Sequence, residues 1–345
     1  MIERKIKMNI YKELKDLCLV PSVSGREEGI RDLLKEKIAP FADEVYTDAL
    51  GNLIAVKKGS GDGASVMLCA HMDEIGFLAT FIDDDGRIRV SNVGGIGWAS
   101  ASYSKVVSEK GVKGIIVPEE KVKPNDYSGS NFYIDIGAAS KKEADRKVSI
   151  GDFFVLTPTV DKLLGKRICG RPLDDRIGCA VLLGIAEELF LAKNDGDIYY
   201  VFSVQEEVGC RGSKTASFAL APEYSLCFDV TATGDTPGCE SMACRVGDGA
   251  AIKIKDSSVI CHAETVKKLV SIAEENKIKY QREILTRGGT DTSSMQLSGR
   301  GSMAGALSVP TRYIHSGVEL CDLGDAEACV ALGVAFVRSL SGGKR

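Results

Sequence analysis

The sequence predicts an α/β fold, a mixed β-sheet sandwiched by helices, with a small all-β, barrel-like domain inserted into it. Three observations predict it. Helix-spaced and strand-like runs alternate toward both ends of the chain. Between about residues 75 and 158 helical periodicity nearly vanishes and short strand-like runs recur between turns. The alternating pattern then resumes, so the all-β stretch reads as an insertion. A chain of 345 residues can hold two domains or one large one. We place the divided α/β domain at 1–73 and 162–345, and the inserted domain at 74–161.

Taken in order, Ser24 to Glu27 spells an S-x-x-E capping box, which predicts a helix with Ile30, Leu33, Leu34 and Ile38 on its apolar face. Strands at 52–56 and 66–69 follow, separated by the glycine-rich turn 59–63. Within the insertion the strand-like runs are 77–82, 88–90, 114–117, 132–136 and 153–156. They are broken at Asp84-Asp85-Gly86, Gly94-Gly95, Pro124-Asn125-Asp126 and Ser128-Gly129. Ile177, Val181, Leu182, Ile185 and Leu189 then mark a helix that packs on a sheet. The β-branched and aromatic run 198–204 is a buried strand, and 224–228 is another. Val266, Leu269, Val270 and Ala273 mark a further helix. Cys329, Leu332, Gly333, Phe336 and Leu340 mark the last, beginning near Asp325.

Composition excludes several classes. Hydrophobic residues at 44% and charged residues at 27% are ordinary for a soluble globular protein. A net charge of −4, with no basic stripe among aromatics, argues against nucleic acid as a partner. The charged N-terminus 1–7 leads into no apolar segment, and the longest near-apolar run, 178–186, is too short for a bilayer. A cytoplasmic protein is expected, with no membrane partner. The 11 cysteines form no C-x-x-C pair, and most sit in apolar runs as small core residues, which fits a reducing compartment.

The chemistry is expected at strand ends, where open α/β sheets bind their ligands. The stretch 201–209 leaves its strand through two adjacent carboxylates, Glu206 and Glu207. Neighbouring residues point in different directions, so one can bind a metal while the other moves a proton. A solvated Glu-Glu pair is the plain alternative. His71 follows the strand 66–69, and Asp73, two residues on, faces the same way in an extended segment. That pairing suits a metal-ligating imidazole held by a carboxylate, or only a polar strand end. Asp174-Asp175 precedes a helix and either caps it or turns one carboxylate to a metal. Asp229 and His315 end apolar segments, where turns also begin.

Together, His71, Asp174, Glu207, Asp229 and His315 form an N/O ligand set suited to two divalent ions, zinc before cobalt or manganese. One carboxylate bridging the ions would leave each with a second carboxylate and one histidine. Glu206, beside a ligand but not one itself, would be the general base. His262 precedes a helix and has no evident partner. Gly288, Gly289, Thr290 and Asp291 form a tight turn that offers backbone N–H groups and a carboxylate to a substrate, or is only a turn.

Six motifs, in this order, resemble the M42 family of dinuclear metallo-aminopeptidases, the glutamyl and tetrahedral aminopeptidases. They are Ala70-His-Met-Asp-Glu-Ile-Gly76, Leu173-Asp-Asp-Arg176, Gln205-Glu-Glu-Val-Gly209, Asp229-Val-Thr, Gly288-Gly-Thr-Asp291 and Tyr313-Ile-His-Ser316. The resemblance implies a phosphorylase/hydrolase-like zinc peptidase domain with a β-barrel insertion. It implies that His71, Asp174 and Asp229 hold one ion, that Asp174, Glu207 and His315 hold the other, and that Asp73 orients His71. It also implies a cis bond between Asp174 and Asp175. The expected activity is release of the first residue of short peptides through a water bridging the ions, with Glu206 as base. Dimers assembling into a dodecamer are expected as well. The alternatives are a deacylase of N-acyl amino acids on the same core, a non-catalytic assembly protein, and a glycosidase using Glu206 and Glu207. Adjacent strand residues seldom place two carboxyls across a sugar ring.

Overall fold

The computed structural model describes residues 8–341, so the charged stretch 1–7 lies outside the described residues. Helix α1 (Ile10–Cys18) is the first element of the described residues, capped by the Asn9 side chain accepting from Lys12 N, and helix α2 (Glu28–Ile38) follows. Strands β1 (Glu44–Thr47), β2 (Leu53–Lys57) and β3 (Val66–His71) come next. The expected capping box does not form. No side chain caps α2, because the side chains of Ser24 and Glu27 bond elsewhere, to Asp73 and to the Gln205 amide.

The insertion is a closed six-stranded barrel. Its strands are β4 (Gly76–Ile82), β5 (Ile88–Val93), β6 (Ser104–Ser108), β7 (Lys113–Pro118), β8 (Phe132–Asp135) and β9 (Phe153–Leu156), joined in the order β4-β5-β8-β7-β6-β9. Two short helices, α3 (Trp98–Ala101) and α4 (Lys141–Ala144), lie in its connections. Alternate residues point inward, and Phe77, Ile88, Ile116, Phe132, Ile134 and Phe154 fill the interior. Strand β6 escapes the sequence reading because its Ser-Lys-Val-Val-Ser is half polar.

After the barrel, β10 (Thr159–Lys162) and β11 (Arg167–Arg171) form a three-stranded sheet with β17 (Glu319–Asp322) near the chain's end. Between them run α5 (Arg176–Leu189), β12 (Ile198–Ser203), α6 (Arg211–Leu220), β13 (Tyr224–Thr231), β14 (Ala250–Lys255), α7 (Ala263–Glu275), β15 (Tyr280–Ile284), α8 (Thr292–Gln296) and β16 (Met303–Pro310). The last helix is α9 (Leu323–Leu340). Strand β13 runs three residues past the expected end, which puts Asp229 inside it.

The main sheet is mixed and eight-stranded, ordered β1-β2-β12-β3-β13-β16-β14-β15. Its centre, β12-β3-β13-β16, is parallel, with Ser203 opposite His71 and Asp229 opposite Ser308. Central strands are apolar on both faces, as helices on both sides require. Leu68, Tyr200, Phe202, Phe228 and Leu307 meet α1, α2, α5, α7 and α9, while Met67, Cys69, Val201, Cys227 and Ala306 meet α6 and α8. Each large side chain so buried contributes about 1.5–3 kcal/mol. The helical layer lies close on the sheet. A Cβ on Gly333 of α9 would stand 2.6 Å from Ile185 and 3.0 Å from Phe228. No helix among the described residues is long and apolar enough to cross a membrane, and all the cysteines are free.

Candidate active site

Parallel strands aim their carboxyl ends the same way, so residues distant in sequence meet above one edge of the sheet. His71 is the last residue of β3, and Glu206 and Glu207 lie in the turn after β12. Asp174 precedes α5 across an Asp174–Asp175 bond that is cis. His315 lies beyond β16 at φ 61°. Asp174 stands between the two imidazoles. Its Oδ1 is 3.0 Å from Nε2 of His71, and its Oδ2 is 3.1 Å from Nε2 of His315. Glu207 Oε1 is also 3.1 Å from that His315 nitrogen, and Asp229 Oδ1 is 3.9 Å from Nε2 of His71. Each imidazole therefore faces one oxygen of Asp174 and one further carboxylate.

Around these groups stands a frame of hydrogen bonds. Glu319, 1% exposed, accepts from the backbone N–H groups of Leu173, Asp174 and His315, which ties two arms of the cluster together. Asp73 lies behind His71, with Oδ1 3.4 Å from Nδ1, while that nitrogen is 3.2 Å from the Asp73 carbonyl. The Asp73 carboxylate also accepts from the amides of Glu206 and Glu207, so it serves the turn as much as the ring. Gly94 and Gly95, read from sequence as breakers, lie against the cluster. A Cβ on Gly95 would sit 3.2 Å from His315 Nδ1, and one on Gly94 would sit 3.2 Å from Glu207 Cβ.

The electrostatics are lopsided. Burial raises Glu206 and Asp229 well above the ordinary carboxylate range. It raises Glu207 as well, with Asp174 adding to the rise. Asp174 is the exception: burial works to raise it, but His315 and His71 hold it well below the usual range. Burial opposes charge on both imidazoles, yet the carboxylates outweigh it. His71 stands well above its usual value beside Asp174 and Asp73, and His315 is pushed up to about 11 by Asp174 and Glu207. The cluster draws positive charge from whatever can carry it.

Two buried atoms point the same way. Glu207 Oε1 accepts no well-directed hydrogen bond, and Asp175 Oδ2 has no partner. Buried carboxylate oxygens without partners are costly unless a cation meets them. His71, Asp174 and Glu207 have ligand atoms within 4.8 Å of one another, and so do His71, Asp175 and Asp229. Asp175, which the sequence reading gave no ligand role, reaches the cluster while its Oδ1 caps α5 by accepting from Gly178 N. Imidazoles with a surplus of carboxylates suit two divalent ions.

The cluster floors a cavity of ≈ 660 Å³, walled by Leu285, Arg287, Gly288, Gly289, Ser293 and Ser294 among others. Thr290 and Asp291 do not line it. Thr290 donates to Asp256, and Asp291, 1% exposed, accepts from the hydroxyls of Ser203 and Ser213 beneath the turn. His262 takes the N-cap position of α7 without capping it, outside the cavity.

The family model described as M42 glutamyl aminopeptidase matches residues 51–332. A lysyl aminopeptidase of Pyrococcus furiosus is 34% identical over 350 residues, covering 96% of this chain and 97% of the relative. The structure of an aminopeptidase from the archaeon Desulfurococcus kamchatkensis superposes with a TM-score of 0.91 at 35% identity, over 97% of this chain and 98% of that one. The Pyrococcus horikoshii TET1 peptidase, described as assembling into a tetrahedron or a large octahedral shell, gives a TM-score of 0.85 at 36% identity, over 95% and 99% of the two chains.

Proposed function

The chain belongs to the M42 glutamyl aminopeptidase family, and from that premise we propose that it releases the first residue of short peptides, with Glu206 as general base beside two divalent ions. His71, Asp174 and Asp229 would hold one ion, and Asp174, Glu207 and His315 the other, zinc before cobalt or manganese. The observation that carries the reading is the position of Asp174, whose two oxygens face one imidazole each at 3.0 and 3.1 Å. Bound there, two such ions would acidify a water and polarise a scissile carbonyl.

The rest falls to the chain's own residues. Glu206 lines the cavity, and its Oε1 accepts from the Cys210 thiol at 3.2 Å. Burial raises it above the ordinary carboxylate range, which suits a group that takes a proton and passes it to a leaving amine. Asp73 fixes the direction of Glu206 through the backbone and backs the His71 ring. Gly288 and Gly289 leave room beside the floor for a peptide backbone. All five ligands come from 1–73 and 162–345, and we assign the barrel insertion, 74–161, to self-association through dimers toward a dodecamer. The Pyrococcus horikoshii relative's assembly into a tetrahedron or octahedral shell supports the self-association.

Glu206→Gln tests the reading. The variant should release no residue from unblocked aminoacyl-nitroanilides while binding about two metal ions per chain. Loss of metal with that change would exchange the roles of Glu206 and Glu207. Cleavage of blocked peptides as fast as free ones would turn the reading toward a deacylase.

A further inference from the structure

Strand β12 ends at Ser203, and the next four backbone amides pair with no strand. Each instead meets a side-chain oxygen from elsewhere in the chain. Val204 N donates to Asn52 Oδ1 at 3.0 Å, and Gln205 N to Glu27 Oε1 at 3.1 Å. Glu206 N donates to Asp73 Oδ1 at 3.0 Å, and Glu207 N to Asp73 Oδ2 at 3.2 Å. Gln205 has φ 56°, a left-handed conformation that a non-glycine residue keeps only when its surroundings impose it. The turn that carries the base and a metal ligand is thus shaped by acceptors reaching in from other segments.

Glu27 is the acceptor that reaches the turn from the segment before α2. It stands at the N-cap of α2, where its carbonyl accepts from Arg31 N, but its side chain makes no capping bond to that helix, and the residue is 4% exposed. Its Oε1 takes two backbone donors, Gly25 N at 2.7 Å and Gln205 N. The segment 22–27 that carries it is itself locked. Val23 pairs with Glu74 as a parallel bridge, Ser22 N donates to Glu74 Oε1, and Ser24 Oγ donates to Asp73 Oδ2 at 2.6 Å. One short segment therefore grips the His71–Glu74 strand end directly and the Gln205–Glu207 turn through Glu27.

We propose that Glu27, with Ser24 holding Asp73, is a positioning residue that sets the direction in which Glu206 leaves the turn. The proposal rests on the aminopeptidase reading only for the activity measured. A misplacement of about 1 Å at a reacting group lowers turnover by about 10²-fold, and deleting Glu27 frees the residue next to the base. Glutamine keeps an Oε1 that can accept both amides. Aspartate, one methylene shorter, withdraws the acceptor.

The test compares Glu27→Ala and Glu27→Gln, metal-loaded and full length, on an aminoacyl-nitroanilide, with hydrogen exchange of amides 204–208 read in the same proteins. Glu27→Ala should lower kcat by roughly 10- to 100-fold, with KM within about twofold and metal content unchanged. Its amides 205–207 should exchange faster, while Glu27→Gln stays within about threefold of the parent in kcat. Ser24→Ala should fall between them. Unchanged kcat and exchange in Glu27→Ala, or equal loss in Ala and Gln variants in step with lost metal and lower Tm, would overturn the proposal. Should Glu27→Ala not fold, Glu27→Asp takes its place with the same expected split. Exchange is read whether or not peptides are cut, so faster exchange in a protein without aminopeptidase turnover sinks the activity reading and upholds the brace.

Discussion

Two groups of buried acids lie close together in this molecule and are treated in opposite ways. Glu74, 1% exposed, is met by Arg171 Nη2 at 3.1 Å and Arg176 Nη2 at 3.7 Å, both arginines buried with it. It also accepts from Ser22 N. Three residues before it in sequence begins the other group. There Asp174, Asp175, Glu206, Glu207 and Asp229 are crowded around two imidazoles, and oxygens of Glu207 and Asp175 are left without hydrogen bonds. Burial raises the acids of both groups, but only Glu74 has guanidiniums in contact to pull it back. A buried carboxylate alone does not mark a site. One met only by imidazoles, which can lose their charge, and left with unbonded oxygens marks a place where a cation belongs.

The comparison breaks most plainly at Asp174. Asp174→Asn removes the one group that faces both imidazoles. Turnover should fall by more than about 10²-fold, the cost of losing even an outer-shell partner, and bound metal should fall from about two ions to one or none. The metal-free protein should lose less stability than Glu74→Gln does, because the imidazoles that hold Asp174 low can shed their protons once it is gone, whereas guanidiniums cannot. Metal analysis and urea unfolding in chelator check this together. A large loss of stability without metal would mean that Asp174 is structural, as Glu74 is.

Glu74→Gln is the converse experiment. It leaves Arg171 and Arg176 buried against a neutral partner, and breaking such a pair from one side costs about 3–5 kcal/mol. Denaturant unfolding of metal-free protein should show that loss, whereas Asp174→Asn should not. If the two variants lose equal stability, the distinction between a self-paired and an unpaired cluster fails.

How far the sequence revealed this contrast depended on the range of the signal. The turn after β12, His71, Asp174 and His315 were legible because each follows a run of fixed period or opens one. The barrel was legible as lost helical periodicity. Partners far along the chain were not. Ser24 and Glu27 match a capping box locally, but their actual partners are 49 and 178 residues away. Glu319 collects three amides of the site from inside a short strand, and no local pattern announces it. Asp291 looked like a turn residue facing substrate, yet two serine hydroxyls hold it inward. Helix α1 was legible as well, with Ile10, Leu14, Leu17 and Cys18 at helical spacing after the Asn9 cap, although the sequence reading places no helix there.

The smallest effect is a dependence on pH, and its sign follows from the same surplus. In metal-free protein Glu206, Glu207, Asp229 and Asp175 titrate above their unfolded values, burial being the first cause. Native protein therefore binds their protons more tightly than unfolded protein, and stability falls as pH rises from about 4.5 upward. His71 and His315 are raised too, His315 to about 11, so the stability they contribute is full below about pH 6.5 and is lost as pH climbs through the folded values. Asp73 and Asp174 are lowered, and their contribution is lost only as pH falls below about 4. Between about pH 5 and about pH 8 every raised group acts in one direction, so chelated protein should lose stability across that window. Zinc needs its ligands deprotonated, so loading should add more stability at the upper end of the window, about 4 kcal/mol where free zinc exceeds its Kd a thousandfold. Urea midpoints with chelator and with zinc should diverge as pH rises. Parallel curves would mean that the acids at this strand edge are satisfied within the chain, as Glu74 is, and that no cation is owed to them.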